Sequence, residues 1–134
     1  IDFGEDGIAK DGPSAGVALF LAICSRAIER PVKSAFAVTG TIALVQNTIG
    51  PVGGIREKIL AAIRAGIKEV GIPASNISDL EELPVRQRAE IEVVLPGKRP
   101  VNRNRFLVYP FETIQQAIRV AFPKDYKKFS PQKK

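Results

Sequence analysis

Apolar residues form one long run and several shorter ones along the chain, and their spacing predicts the elements. The longest run covers residues 15–24 and follows a proline, a residue favoured in the first turn of a helix. We predict a helix over residues 14–28, central and buried because its first part is apolar on all sides. A second predicted helix, over residues 55–65, has one apolar stripe and ends at Gly66, a common position for glycine.

Short apolar segments between glycine, proline and polar residues predict strands. These segments are residues 35–38, 41–45, 49–52, 69–72, 91–95 and 106–109, and residues 1–3 read as the end of a further strand. Short helical segments are predicted at 78–83 and 86–90, and an amphipathic helix at 111–122. The order predicts the α/β (α+β) class, with a mixed sheet flanked by helices in a single compact domain. That domain should cover residues 1–122, with a basic flexible tail at 123–134.

Composition narrows the class of protein. The chain has 134 residues, of which 45% are apolar and 25% charged, as in soluble globular domains. It has neither a secretory signal nor an apolar run long enough to cross a membrane, and its one cysteine, Cys24, cannot form an intrachain disulfide. We expect a soluble intracellular protein without membrane association, in which Cys24 is a small core residue. The lack of histidine excludes a Ser-His-Asp or Cys-His site and the usual zinc ligands within this chain.

The net charge of +6 is concentrated in two segments. Residues 98–105 carry four cations and no acid, and residues 124–134 carry five lysines against Asp125. With Phe106 and Tyr109 nearby, the first segment could bind single-stranded nucleic acid. A solvated loop is the simpler interpretation, so nucleic acid is a possible partner that the sequence does not specifically indicate.

Ser14 is the first candidate for chemistry. It follows a glycine and a proline at the start of the first predicted helix, where unpaired backbone N–H groups could stabilise an oxyanion. Asp11 lies just before and could orient the helix start or the substrate. Alternatively, Ser14 and Asp11 simply cap the helix. A serine nucleophile needs a base, and without histidine that base must be lysine, aspartate, glutamate or a chain terminus.

Lys58 is the lysine whose position suits a base best. It lies at the boundary of the apolar stripe of the second predicted helix, beside the small side chains of Ala61, Ala62 and Ala65. Such a lysine could be partly desolvated, which lowers an amine's pKa, or it could simply extend into water. Thr39, at the end of a predicted strand, could hold a lysine amine by a hydrogen bond, or could be an ordinary strand residue.

Several motifs together resemble the proteolytic domain of Lon-type ATP-dependent proteases. Residues 51–58 (PVGGIREK) are similar to the segment with the family's catalytic lysine, and Thr39-Gly40 to its strand-end pair. The resemblance covers residues 1 to about 95 well and 106–122 more loosely. Its most specific motif is the nucleophile sequence, formed here by Asp11, Gly12, Pro13, Ser14, Ala15 and Gly16.

The resemblance implies the Lon proteolytic-domain fold and a serine peptidase with a Ser-Lys dyad. Ser14 would be the nucleophile, Lys58 the general base and Thr39 its hydrogen-bond partner, with Asp11, Gly12 and Pro13 in supporting positions. The oxyanion would bind backbone N–H groups at the start of the first helix. No cofactor or metal is expected on this chain, whereas ATP and Mg²⁺ are expected on an absent upstream ATPase module. The resemblance further implies polypeptide substrates, which are unfolded, damaged or regulatory proteins, and a homo-hexamer in a cytoplasm or organelle matrix.

Some features depart from the family pattern. Thr41 occupies the position of a glutamate found in many members, the hairpin at residues 45–50 is longer, and residues 96–105 resemble an insertion. The family's first strands would precede residue 1, so we expect a fragment that could be inactive in isolation. Two alternatives follow: a catalytically inactive Lon-like domain that serves assembly or regulation of an ATPase, and a basic nucleic-acid-binding module.

Overall fold

The structure is a computed structural model that describes residues 10–43 and 45–129, with side chains described from residue 16 onward. Helices and strands alternate through this part of the chain, joined by two 3₁₀ segments, Ala74–Glu82 and Tyr126–Phe129. The helices are α1 Lys10–Ile28, α2 Ile55–Arg64, α3 Val85–Ala89 and α4 Ile114–Ala121. The strands are β1 Phe36–Val38, β2 Thr41–Ala43, β3 Thr48–Gly50, β4 Glu69–Pro73, β5 Ile91–Val93 and β6 Phe106–Phe111.

Four of the strands form a parallel sheet in the order β1-β4-β6-β5. Its centre is β4, where Gly71 pairs with Val38 on one side and with Tyr109 on the other. Strands β2 and β3 form a separate antiparallel hairpin. The predicted α/β class is therefore confirmed. The prediction placed parallel and antiparallel strands in one mixed sheet, whereas they form two separate sheets.

Each face of the parallel sheet has its own apolar core. On one face, α1 and α4 pack through residues such as Leu21 and Ala117 against Phe111. On the other face, Ile55 and Ile59 of α2 pack with the 3₁₀ segment and Ile72. Parallel sheets are stable when both faces are covered in this way, so the domain has three layers.

Helix α1 differs from its prediction in two respects. It begins at Lys10 rather than at Ser14. This is compatible with Pro13, because the first four residues of a helix have no intrahelical partner for their N–H groups. The prediction of burial on all sides was wrong: α1 is buried along one stripe that includes Cys24, whereas Ile23 is 58% exposed. Much of the exposed side of α1 consists of alanine, whose burial contributes little free energy. An apolar sequence therefore did not require a helix that is buried on all sides.

Cys24 itself is a free, buried residue within the core beneath α1. Burial raises the pKa of its thiol, because the thiolate form would lose hydration. The predicted role of Cys24 as a small core residue agrees with this position. No helix in the described part of the chain is long and apolar enough to cross a membrane.

The last elements also differ from their predicted bounds. Phe111 ends the buried strand β6, and α4 begins at Ile114 with a capping box formed by Thr113 and Gln116. Beyond α4, the ring of Phe129 lies 5.3 Å from that of Phe122, so packing continues past the boundary predicted at residue 122. Composition alone did not predict this contact, because the aromatic residues of the segment are dispersed among lysines. Residues 130–134, and the strand predicted at residues 1–3, lie outside the described residues.

Candidate active site

Candidate residues meet beyond the end of β1, at the edge of the sheet where the parallel strands terminate. Ligands of α/β proteins commonly bind at this edge, because loops and helix ends converge there. Thr39 directly follows β1, and its backbone N–H donates to the carbonyl oxygen of Gly71 at 3.0 Å. The residue is 8% exposed, so its hydroxyl lies in a largely water-free place.

Lys58 reaches this place from α2. Its backbone N–H donates to Gly54 at 2.9 Å, in the first turn of the helix. Because Ile55 and Ile59 face the core, Lys58 falls on the margin of the buried stripe and is half-buried. Its Nζ donates to the Oγ1 of Thr39 at 3.3 Å. Among the described side chains, no carboxylate lies within 4.0 Å of this amine.

Two glycines let α1 approach the same edge. The backbone N–H of Val17 donates to the carbonyl oxygen of Gly40 at 3.1 Å. A Cβ on Gly40, whose φ is +151°, would lie 2.8 Å from the side chain of Ile49, which is too close for a larger residue. A Cβ on Gly16 would lie 3.3 Å from the carbonyl oxygen of Gly40. The glycines after Ser14 and Thr39 therefore allow the helix and the strand end to touch.

The residues predicted from the sequence lie in different parts of this site. Thr39 and Lys58 are hydrogen-bonded to each other. Ser14 lies in the second turn of α1, three residues before Val17, and not in the first turn as predicted. The unpaired N–H groups expected at the helix start therefore belong to residues before Ser14. Asp11, Gly12 and Pro13 lie in the first turn, and the side chains of residues 11–14 lie outside the described residues.

Asn76 is a buried polar residue near the candidate site, and no role was predicted for it from the sequence. It is buried, and its side chain both donates to the carbonyl oxygen of Val52 at 2.8 Å and accepts from its N–H at 3.0 Å. The amide also donates to Asp79 at 2.6 Å. These bonds fix the segment immediately before α2, and so help to position Lys58. An asparagine shortly after an apolar strand was the available signal, but its partner lies 24 residues away.

The hairpin that departs from the family pattern in the sequence has an exposed tip and a regular base. Thr41 pairs with Gly50 at the base of the hairpin, next to the strand end that carries Thr39. At the tip, Val45 is 94% exposed, and Asn47 has a φ of 59°, a conformation that asparagine tolerates well. The Oδ1 of Asn47 also accepts from the N–H of Ile114, which anchors the turn to α4. Leu44 lies outside the described residues. The strands are therefore regularly paired at the base of the hairpin, so any extra residues would be absorbed at the turn.

The described residues contain no group of three or more histidine, cysteine, aspartate or glutamate side chains that could hold a metal ion. The polar groups at the edge of the sheet are instead a hydroxyl and an amine, contributed by Thr39 and Lys58. This pair can exchange protons and bind an adjacent hydroxyl. Its chemistry is suited to proton transfer.

Comparison with known proteins gives a consistent result. Residues 1–99 match the model of the Lon protease (S16) C-terminal proteolytic domain. The Lon protease of Paraburkholderia phytofirmans is 54% identical over 88 residues, which are 66% of this chain and 11% of that protein. The Lon protease of Methanosarcina barkeri is 43% identical over 116 residues, 87% of this chain and 12% of that protein. Lon protease homolog 2, peroxisomal, of Xenopus laevis is 46% identical over 97 residues, 72% of this chain and 11% of that protein. The chain thus matches a small part of the length of each relative.

Proposed function

This chain belongs to the family of Lon protease (S16) C-terminal proteolytic domains, and we propose that it cuts peptide bonds with Ser14 as nucleophile and Lys58 as general base. The observation that carries this assignment is the 3.3 Å hydrogen bond from the amine of Lys58 to the hydroxyl of Thr39. A lysine held by a neutral hydroxyl, with no described carboxylate beside it, is suited to accept a proton.

The position of α1 supports Ser14 as the partner of Lys58. Val17 follows Ser14 by less than one helical turn and is bonded to Gly40, the residue next to Thr39. The backbone around Ser14 therefore approaches the strand end that Lys58 also reaches. Asp11, Gly12 and Pro13 precede Ser14 in α1 and would shape the path of the substrate towards it.

The proposed reaction is acyl transfer. Neutral Lys58 takes the proton of the Ser14 hydroxyl, and the oxygen of Ser14 attacks the carbonyl carbon of the peptide bond. Backbone N–H groups near the start of α1 stabilise the oxyanion of the tetrahedral intermediate. Lys58 then gives its proton to the leaving amine, and water hydrolyses the acyl-enzyme. Thr39 acts as a positioning residue, since it holds the amine of Lys58 rather than contacting the substrate.

For the whole protein we propose the arrangement that the family resemblance implies. An ATPase module outside this chain would bind ATP and Mg²⁺, assemble as a homo-hexamer, and deliver unfolded, damaged or regulatory proteins to the peptidase sites. The small share of each relative that this chain matches, 11% or 12%, is compatible with a large additional module.

Covalent labelling of the complete enzyme tests the nucleophile. A fluorophosphonate probe should react with Ser14, and Ser14→Ala should lose both labelling and peptide cleavage. Ser25→Ala, which changes a serine elsewhere on α1, is the matched control and should retain both. If the unaltered enzyme is folded but is neither labelled nor active, the inactive Lon-like alternative, which the threonine at position 41 suggests, replaces this assignment.

A further inference from the structure

A second group of charged side chains lies on the opposite face of the sheet from α2. It lines a cavity of about 410 Å³ between α4 and the loop at residues 97–103. This volume lies within the range of small-ligand sites, roughly 300–1,000 Å³. Its charged lining consists of one carboxylate and five cations: Glu69, Lys33, Lys98, Arg99, Arg103 and Arg119.

The one carboxylate is already neutralised. The Nζ of Lys33 lies 2.6 Å from the Oε1 of Glu69, and both side chains are about one-fifth exposed, at 20% and 18%. Burial and the charge of the neighbouring Glu69 raise the pKa of Tyr109, so its phenol stays protonated beside that carboxylate. The other four cations of the lining have no carboxylate within 4.0 Å among the described residues.

The side chains of these four cations are exposed, and two features limit the movement of three of them. The carboxylate of Glu92 accepts the backbone N–H groups of Val101 at 2.6 Å and Asn102 at 2.9 Å. These bonds lower the pKa of Glu92 and tie down the loop that carries Arg99 and Arg103. The guanidinium of Arg119 lies 4.8 Å from the ring of Tyr126, which limits its orientations.

We propose that this cavity binds a compact phosphate-bearing anion of about the size of tripolyphosphate. Guanidinium groups bind phosphate oxygens through paired N–H donors, and several unpaired cations around one cavity match an anion of high charge. Arg103 and Arg119, which complete this lining, lie beyond residue 99, where the family match ends.

The aromatic residues favour a compact anion over a nucleic-acid strand. Binding of single strands requires exposed rings on which bases stack. Tyr109 is 7% exposed and has Lys33 over its ring at 4.6 Å, and the ring of Tyr126 is covered by Arg119. Phe106, the other aromatic residue near the basic loop, packs against the opposite core. The cavity therefore offers charge without a stacking surface.

Titration calorimetry of the full chain with sodium tripolyphosphate tests the site. We expect saturable binding that Arg99→Gln with Arg103→Gln weakens at least about tenfold, because two charge-assisted contacts are removed. The matched control is Arg86→Gln with Arg88→Gln, which removes the same charge from exposed residues of α3 and should change the affinity less than about twofold. Ser14→Ala should bind the anion like the unaltered chain, since the cavity is separate from the peptidase site.

Three results would overturn the proposal. One is the absence of saturable binding, and another is an equal loss of affinity in the two double variants, which would show unspecific charge attraction. The third is tighter binding of a single-stranded oligonucleotide at equal phosphate concentration, with the loss again confined to Arg99 and Arg103. That outcome would assign the surface to nucleic acid. Unchanged folding of each variant is checked by its unfolding midpoint in urea.

Discussion

Lys33 and Lys58 are both half-buried lysines beside the same sheet, yet their surroundings differ completely. Lys33, before β1, is paired with Glu69 at 2.6 Å and lies over the rings of Phe36 and Tyr109. Lys58, on α2, donates to the hydroxyl of Thr39, with no described carboxylate within 4.0 Å. The contacts of Lys33 are those of a cation with a carboxylate and with aromatic rings, whereas Lys58 contacts a neutral hydroxyl, as the proposed general base would. Neighbouring groups, rather than burial alone, thus distinguish a structural lysine from a candidate base.

Replacing each lysine by methionine should separate these roles most strongly. Lys58→Met in the complete enzyme should lower kcat for peptide cleavage by about 10²–10⁴-fold, the usual contribution of a general base. Lys33→Met should change kcat less than about twofold. It should instead lower the free energy of unfolding by about 1–3 kcal/mol, because Glu69 loses a charged hydrogen bond in a mostly buried position. Steady-state kinetics and urea unfolding measure the two effects.

Two results with these variants would contradict the separate roles of Lys33 and Lys58. Equal loss of cleavage in Lys33→Met and Lys58→Met, with both proteins folded, would mean that neither lysine has a distinct chemical role. A large loss of stability in Lys58→Met alone would make Lys58 the structural residue of the two.

A smaller effect is expected at Asn76, which fixes the segment leading into α2. Asn76→Ala should lower the free energy of unfolding by about 2–3 kcal/mol, because the N–H and carbonyl of Val52 lose their partner in a partly buried place. It should also lower kcat by a larger factor than it raises KM, because Lys58 is then held less firmly in its position. Ser75→Ala, a change at the exposed neighbour, is the control and should have little effect on either quantity. An unfolding midpoint for Asn76→Ala equal to that of the control would contradict this role.

Much of the fold followed from local patterns. The stripe of α2 predicted both its length and the marginal position of Lys58, because helical periodicity determines which residues face a core. The strand before Thr39 was predicted for a similar reason, as a short apolar segment bounded by glycine. The resemblance to Lon proteases then supplied what periodicity could not, since it related Ser14, Thr39 and Lys58 across distant parts of the chain.

Features that depend on tertiary packing were not predicted. The exposed side of α1 could not be inferred from its apolar sequence, because alanine is tolerated in water as well as in a core. The packing of Phe129 against Phe122 was hidden by the lysines around it. The pairing of Lys33 with Glu69 joins residues 36 positions apart, which only the register of β1 and β4 brings together. Sequence patterns predict faces of elements, whereas these contacts depend on how the elements meet.

The most direct test of the central claim is the distance from the Oγ of Ser14 to the Nζ of Lys58 in an experimental structure of the complete enzyme. We expect about 2.6–3.2 Å, the range in which a general base takes a proton from a nucleophile. A Lys58 amine that lies in bulk water and faces away from Ser14, in an enzyme that still cleaves peptides, would contradict this claim.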